Sequence, residues 1–195
     1  MRTFAVYLVA AWSGFYVMGI ELLGGRLLAP FFGSSVFVWG AIITVFMMCL
    51  SFGYLMGGQF SQFKPSLLIL CGLLVGEAIA ATPIIALGSI TWEWISYRMP
   101  DPRYGSLVGA LLMFGLPTVI AGMVSPYAVR LLIDDVNASG KAAGRLYFVS
   151  TFGSAAGTIV TAFYLVAWLP INTILLLFMG MTLAIGLLVA IFNRS

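Results

Sequence analysis

The chain has 195 residues, 62% of them hydrophobic and only 8% charged, with a mean hydropathy of +1.11 and a net charge of +3. A soluble domain carries about 25% charged residues, so this composition excludes a water-covered globule and marks an integral membrane protein. The sequence holds no histidine, which removes imidazole metal sites, Ser-His triads and imidazole proton relays. Its basic residues fall mostly between apolar runs, not in the aromatic-interleaved stripe of a nucleic-acid reader.

Six runs reach the roughly 20 apolar residues that a helical span needs. The first, about 4–29, is longer than a signal-peptide core and lacks a clean small-x-small cleavage site, so it reads as a retained span. It contains "GIELLGGRLLAPFFGSS", with Glu21 and Arg26. The second, about 36–60, carries Trp39, Tyr54 and, in "SFGYLMGG", Gly53 and Gly57 four residues apart. The third, about 66–92, carries Glu77 and Pro83, and the proline is expected to kink it or end its regular part. The fourth, about 106–133, ends in "GMVSPYAVRLL", with Ser125, Pro126, Tyr127 and Arg130. The fifth, about 146–169, holds "STFGSAAG", which spaces Ser150 from Ser154 and Gly153 from Gly157 by four. A tight joint at Pro170 leads to the sixth, about 171–192. The breaks "PFFGSS", "SQFKPS", "YRMPDPRYG" and "DDVNASGKAAGR" carry turn chemistry. The expected fold is all-α, a single transmembrane domain over 1–195 built as a six-helix bundle.

With six spans, both termini share a side with the second–third and fourth–fifth connections. That side holds Arg2, Lys64, Arg130, Lys141, Arg145 and Arg194, against Arg26, Arg98 and Arg103 on the other. The excess predicts cytoplasmic termini. The sequons Asn137-Ala138-Ser139 and Asn193-Arg194-Ser195 then face the cytoplasm and are expected to stay unglycosylated. No G-x-G-x-x-G occurs, no soluble domain is expected after the sixth span, and no cofactor is implied. Cys49 and Cys71 lie inside apolar runs and read as small hydrophobes, with no metal or disulfide spacing.

The candidate functional residues are the intramembrane acids. An ionisable group at the bilayer centre costs about 2.5–3.5 kcal/mol on insertion scales, so Glu21 and Glu77 should meet a cavity or a partner. Each reads either as a cation or proton site or as a protonated carboxyl hydrogen-bonded between helices. Glu21 is the stronger functional candidate. Arg26 stands about 140° around the helix from Glu21 at 3.6 residues per turn, so the two form no i,i+4 pair. Arg26, Arg130 and Arg145 read as helix-end anchors that can snorkel to the interface, or as ion-pair candidates, with a basic partner for Glu21 coming from another helix or from Arg26 folding back. Gly53, Gly57, Ser150, Gly153, Ser154 and Gly157 read mainly as close helix packing. Trp39, Tyr54, Tyr127 and Tyr147 read as cation-contacting aromatics or as interface and packing residues. There is no acid pair at catalytic spacing and no metal-ligand cluster, so an enzyme is not expected.

Three blocks together resemble a known family: "ELLGGRLLAPFFGSSVFVWGAI", "SFGYLMGGQF" and "GMVSPYAVRLLIDDVNASGKAAGRLYFVSTFGSAAGTIVTAFYL". They look like the membrane part of bacterial spermidine-synthase-like membrane proteins, the fused major-facilitator/spermidine synthase type. The matching positions include Glu21, Arg26, Pro30, Gly33, Ser35 and Trp39, then Gly53, Gly57 and Gly58, then Pro126, Arg130, Gly144, Arg145, Tyr147, Ser150, Gly153, Ser154 and Gly157. The resemblance implies half of a major-facilitator bundle in a bacterial inner membrane, with the catalytic aminopropyltransferase-like domain absent from this chain. It implies handling of polyamines or another small cation, with a homodimer, another membrane protein or a separate synthase-like cytoplasmic protein as partner. The alternative is a non-catalytic accessory subunit of a larger membrane complex. Ser61 stands where the facilitator-type loop carries an acid, and Glu77 lies outside the resemblance.

Overall fold

The computed structural model describes residues 2–63, 65–133 and 139–192. Lys64, Asp134, Asp135, Arg194 and the asparagines of both sequons, Asn137 and Asn193, lie outside the described residues. The described chain is helical throughout, with no strand: α1 (Arg2–Phe32), α2 (Val36–Phe60), α3 (Leu67–Ala80), α4 (Thr82–Arg98), α5 (Pro102–Leu132), α6 (Ser139–Ile159), a π-helical turn (Val160–Leu165), α7 (Val166–Trp168) and α8 (Ile171–Phe192). These form six apolar spans, because α3 and α4 run on as one, as do α6, the π turn and α7. At about 1.5 Å rise per residue, the 31-residue helices α1 and α5 exceed the ~30 Å hydrocarbon core.

Several boundaries differ from the sequence reading, each for a local reason. The first helix runs past Ala29 and stops at Gly33, whose φ of 80° only glycine adopts readily and whose N–H donates to the Ala29 carbonyl (2.9 Å). The fourth span starts at Pro102, not at 106. Asp101 caps it by accepting from the Arg103 N–H (2.9 Å), and Pro102 occupies a first-turn position where its missing N–H costs nothing. The fifth span starts at Ser139, not at 146: in "GKAAGR" the Ala, Lys and Arg residues favour helix enough to carry the two glycines.

The third span is broken at Ala81, close to the expected Pro83 kink, and then continues to Arg98. Pro83 has no N–H to give the Ile79 carbonyl. The Thr82 hydroxyl supplies a donor instead, at 2.8 Å. The π turn in the fifth span was not anticipated.

α5 lies at the centre of the bundle, packed on α1, α2, α3 and α4, while α1 packs along α6. The small-residue pairs permit these approaches. A methyl at Gly53 would strike the Val119 carbonyl and the Gly122 Cα (2.8 Å), and one at Gly57 would meet the Met123 Cα at 2.6 Å and the Pro126 ring at 2.9 Å. On α6, methyls at Gly153 and Gly157 would fall on the Ala11 and Phe15 carbonyls of α1. Without a hydrophobic force between helices in lipid, such backbone contact is a main source of association. Directional ties supplement it. The Trp92 indole N–H donates to the Gly109 carbonyl (3.1 Å) and the Trp12 indole N–H to the Thr182 hydroxyl (2.8 Å).

The two ends of the bundle are distinguishable. Arg2 shares one cavity with Leu67 and Phe192 and another with Leu131 and Lys141, so both termini lie with the α2–α3 and α5–α6 connections. Arg26, Trp92 and Pro170 meet at the opposite end.

Candidate functional site

The core of the bundle contains a carboxyl group that no described residue satisfies. Glu77 is fully buried, and neither carboxyl oxygen has a hydrogen-bond partner among the described residues. Ten residues beyond Leu67, it lies about 15 Å along α3, near the middle of a ~30 Å hydrocarbon layer. The Tyr16 hydroxyl of α1 is likewise buried without a hydrogen-bond partner among the described residues.

A third orphan, the Thr161 hydroxyl, belongs to the π turn. It would lie 3.1 Å from a methyl placed at Gly19, three residues from Tyr16 on the same face of α1. The Phe178 ring of α8 packs against Gly19, with its centroid 6.3 Å from that of Tyr16. The π turn thus faces this stretch of α1, and Ala81, at the other break in helical backbone, belongs to the same buried cluster as Tyr16 and Ile20. Irregular backbone at membrane depth is tolerated where it is buried in protein or lines a cavity, and π turns recur at functional sites. Among the described residues, Tyr16, Ser35, Glu77 and Thr161 carry unsatisfied buried polar groups, each at a cost of about 1–3 kcal/mol.

On the other side of α1 lies an open cleft of about 160 Å³ between α1, α2, α5 and α6. Hydroxyls of Ser13, Tyr54, Ser125, Ser150 and Ser154 line it. Small-molecule sites usually enclose about 300–1,000 Å³, so the cleft has the size of one wall of a site. Val17 and Met18 also line it, and Glu21 follows them by one helical turn.

Glu21 is half-buried and makes no hydrogen bond or ion pair among the described residues, with Arg26 or any other. Arg26 is exposed and borders a cavity of about 340 Å³ at the far end of the bundle, with Trp92 and Asn172. The Trp39 ring rests on Gly25, where an added methyl would meet its Cζ2 at 2.6 Å, so it clamps α2 to α1. Tyr127 is fully buried, and its hydroxyl accepts from the Ser66 N–H (2.9 Å) at the start of α3. Arg130 is exposed in the last turn of α5, and Arg145 is exposed on α6 at the same end of the bundle. Ser150 and Ser154 both pack α6 on α1 and face the cleft. Sequence reasoning did not single out Tyr16 or Thr161. Their only signal is a hydroxyl inside an otherwise apolar run.

Cys49 and Cys71 are free and buried, and among the described residues no three His, Cys, Asp or Glu side chains gather as a metal site would require. No protein-family model, curated protein or solved structure matches the chain.

Proposed function

We propose that this membrane bundle handles a small cation, with Glu77 as the internal group that takes up the cation or a proton. The observation that carries the reading is the fully buried Glu77 carboxyl, neither oxygen of which has a hydrogen-bond partner among the described residues. Ionisable residues inside membranes mark ion and proton pathways by default. Glu21 and the serine-lined cleft form one wall of the route by which a cation meets the bundle. The small volume of that cleft supports a second bundle opposite it, either another copy of this chain or a partner, since alternating access needs two halves. Polyamines are the substrate class that the three resembling sequence blocks suggest.

The test is flux in proteoliposomes, using radiolabelled spermidine and a pH-sensitive dye in parallel. Glu77→Gln and Glu21→Gln are each expected to reduce cation or proton movement at least tenfold. Wild-type flux in both variants would overturn the reading. An accessory role is favoured by one observation: the fifth span is the least buried of the six and exposes Phe148, Phe152, Phe163 and Trp168. That reading expects a stoichiometric membrane partner on mild-detergent purification, with no flux from the isolated chain.

A further inference from the structure

A second site lies at the end of the bundle that holds both termini. Arg2 of α1 and Lys141 and Arg145 of α6 converge on one cavity of about 310 Å³, together with Thr3 and Tyr7. Lys141 and Arg145 are four residues apart and therefore share one face of α6. Among the described residues, none of the three bases forms an ion pair. Like charges gathered this way repel one another and call for an anion between them.

The surroundings say which kind of anion. Tyr7 and Arg145 also border a neighbouring groove of about 370 Å³, whose other walls are Gly144, Phe148 and Val149. On the opposite flank, Arg2 borders an apolar groove of about 570 Å³ that includes Leu8 and Leu188. Both grooves reach from the helix ends to residues one or two turns further along the spans. A free anion would use the cations and leave these grooves idle. An amphiphile with an anionic head and acyl chains uses all three spaces.

We propose that Arg2, Lys141 and Arg145 bind the phosphoryl headgroup of an anionic phospholipid, with its acyl chains laid in the flanking apolar grooves. The Tyr7 and Thr3 hydroxyls add neutral donors to the phosphoryl oxygens. The arrangement corresponds to the basic pockets between transmembrane helices that hold anionic lipid heads. It is independent of the cation reading, because it lies at the end of the bundle and not at Glu77.

The experiment is native mass spectrometry of the purified full chain titrated with phosphatidylglycerol or phosphatidylcholine. Wild type is expected to prefer phosphatidylglycerol. Lys141→Gln with Arg145→Gln is expected to weaken that binding about 30-fold, the two charges converted at about 1 kcal/mol each. The charge-keeping pair Lys141→Arg with Arg145→Lys should retain it. Arg130→Gln, an exposed base at the same end but outside the cavity, should leave it unchanged. Equal retention of both lipids by wild type overturns the proposal, as does an equal loss in the Arg130 variant. Inorganic phosphate at millimolar concentration supplies the other arm: if it displaces phosphatidylglycerol completely, the site takes a soluble anion and the lipid assignment fails. Thermal unfolding of each variant separates a lost site from a lost fold, because both substituted residues are exposed.

Discussion

Replacing Glu77 by methionine should make the protein more stable while abolishing its cation handling. Glu77 is fully buried, and neither carboxyl oxygen has a hydrogen-bond partner among the described residues. Leaving such a group unsatisfied costs about 1–3 kcal/mol. Methionine is unbranched and flexible, fills a similar space and carries no strong polar atom, so Glu77→Met should return about that amount. In a chain of this size each kcal/mol moves the midpoint by about 2–4 °C. Glu77→Gln keeps an equally unpartnered polar head and should move it little. The assay is thermal unfolding in detergent with a thiol-reactive dye, since Cys49 and Cys71 are buried and become reactive only as the bundle opens. A Glu77→Met protein that melts lower than wild type, with Glu77→Gln unchanged, would refute the reasoning, because it would mean that the carboxyl has a structural partner. A gain in stability with loss of flux is the trade expected where a site is kept for function.

Two further outcomes follow from the packing, both read by the same unfolding assay. Gly53→Ala forces a methyl into the Val119 and Gly122 backbone and should cost about 1–3 kcal/mol, whereas Gly58→Ala on the same helix meets nothing within 4 Å and should be neutral or gain about 0.5–1 kcal/mol of helix propensity; equal midpoints would contradict the α2–α5 contact. Tyr127→Phe strands the Ser66 N–H at the start of α3 and should lower stability by about 1 kcal/mol, with an unchanged midpoint counting against that bond.

The spans were legible because the bilayer imposes one strong requirement, length of apolar run, that sequence displays directly. The break near Pro83 was legible for a similar reason, since a missing N–H is a property of one residue. Starts were harder to read. Asp101-Pro102 looks like a turn, and the same pair also caps and opens a helix. The π turn "VTAFYL" has no residue that demands it, so only the packing of α6 against α1 selects it.

The site was half legible. Glu21 and Glu77 both stood out as charges in apolar runs, yet the sequence ranked Glu21 first because it belongs to a longer motif. Burial separates them: Glu77 is enclosed, while Glu21 is half-open near a cleft. Thr161 meets the Gly19 face of α1 only through packing between two spans, and no local pattern encodes that approach.

The π turn also bears on how this span is compared with others. Such a turn amounts to one extra residue within a helix, so the residues before Val160 and those after Leu165 follow two frames offset by about 100°. A single helical wheel drawn across the span places one half on the wrong face. An alignment of this span to an uninterrupted helix needs a one-residue gap between 160 and 165. Deleting one residue there would convert the two frames into one and swing Phe163, Tyr164 and Trp168, all now exposed, about a quarter-turn around the axis.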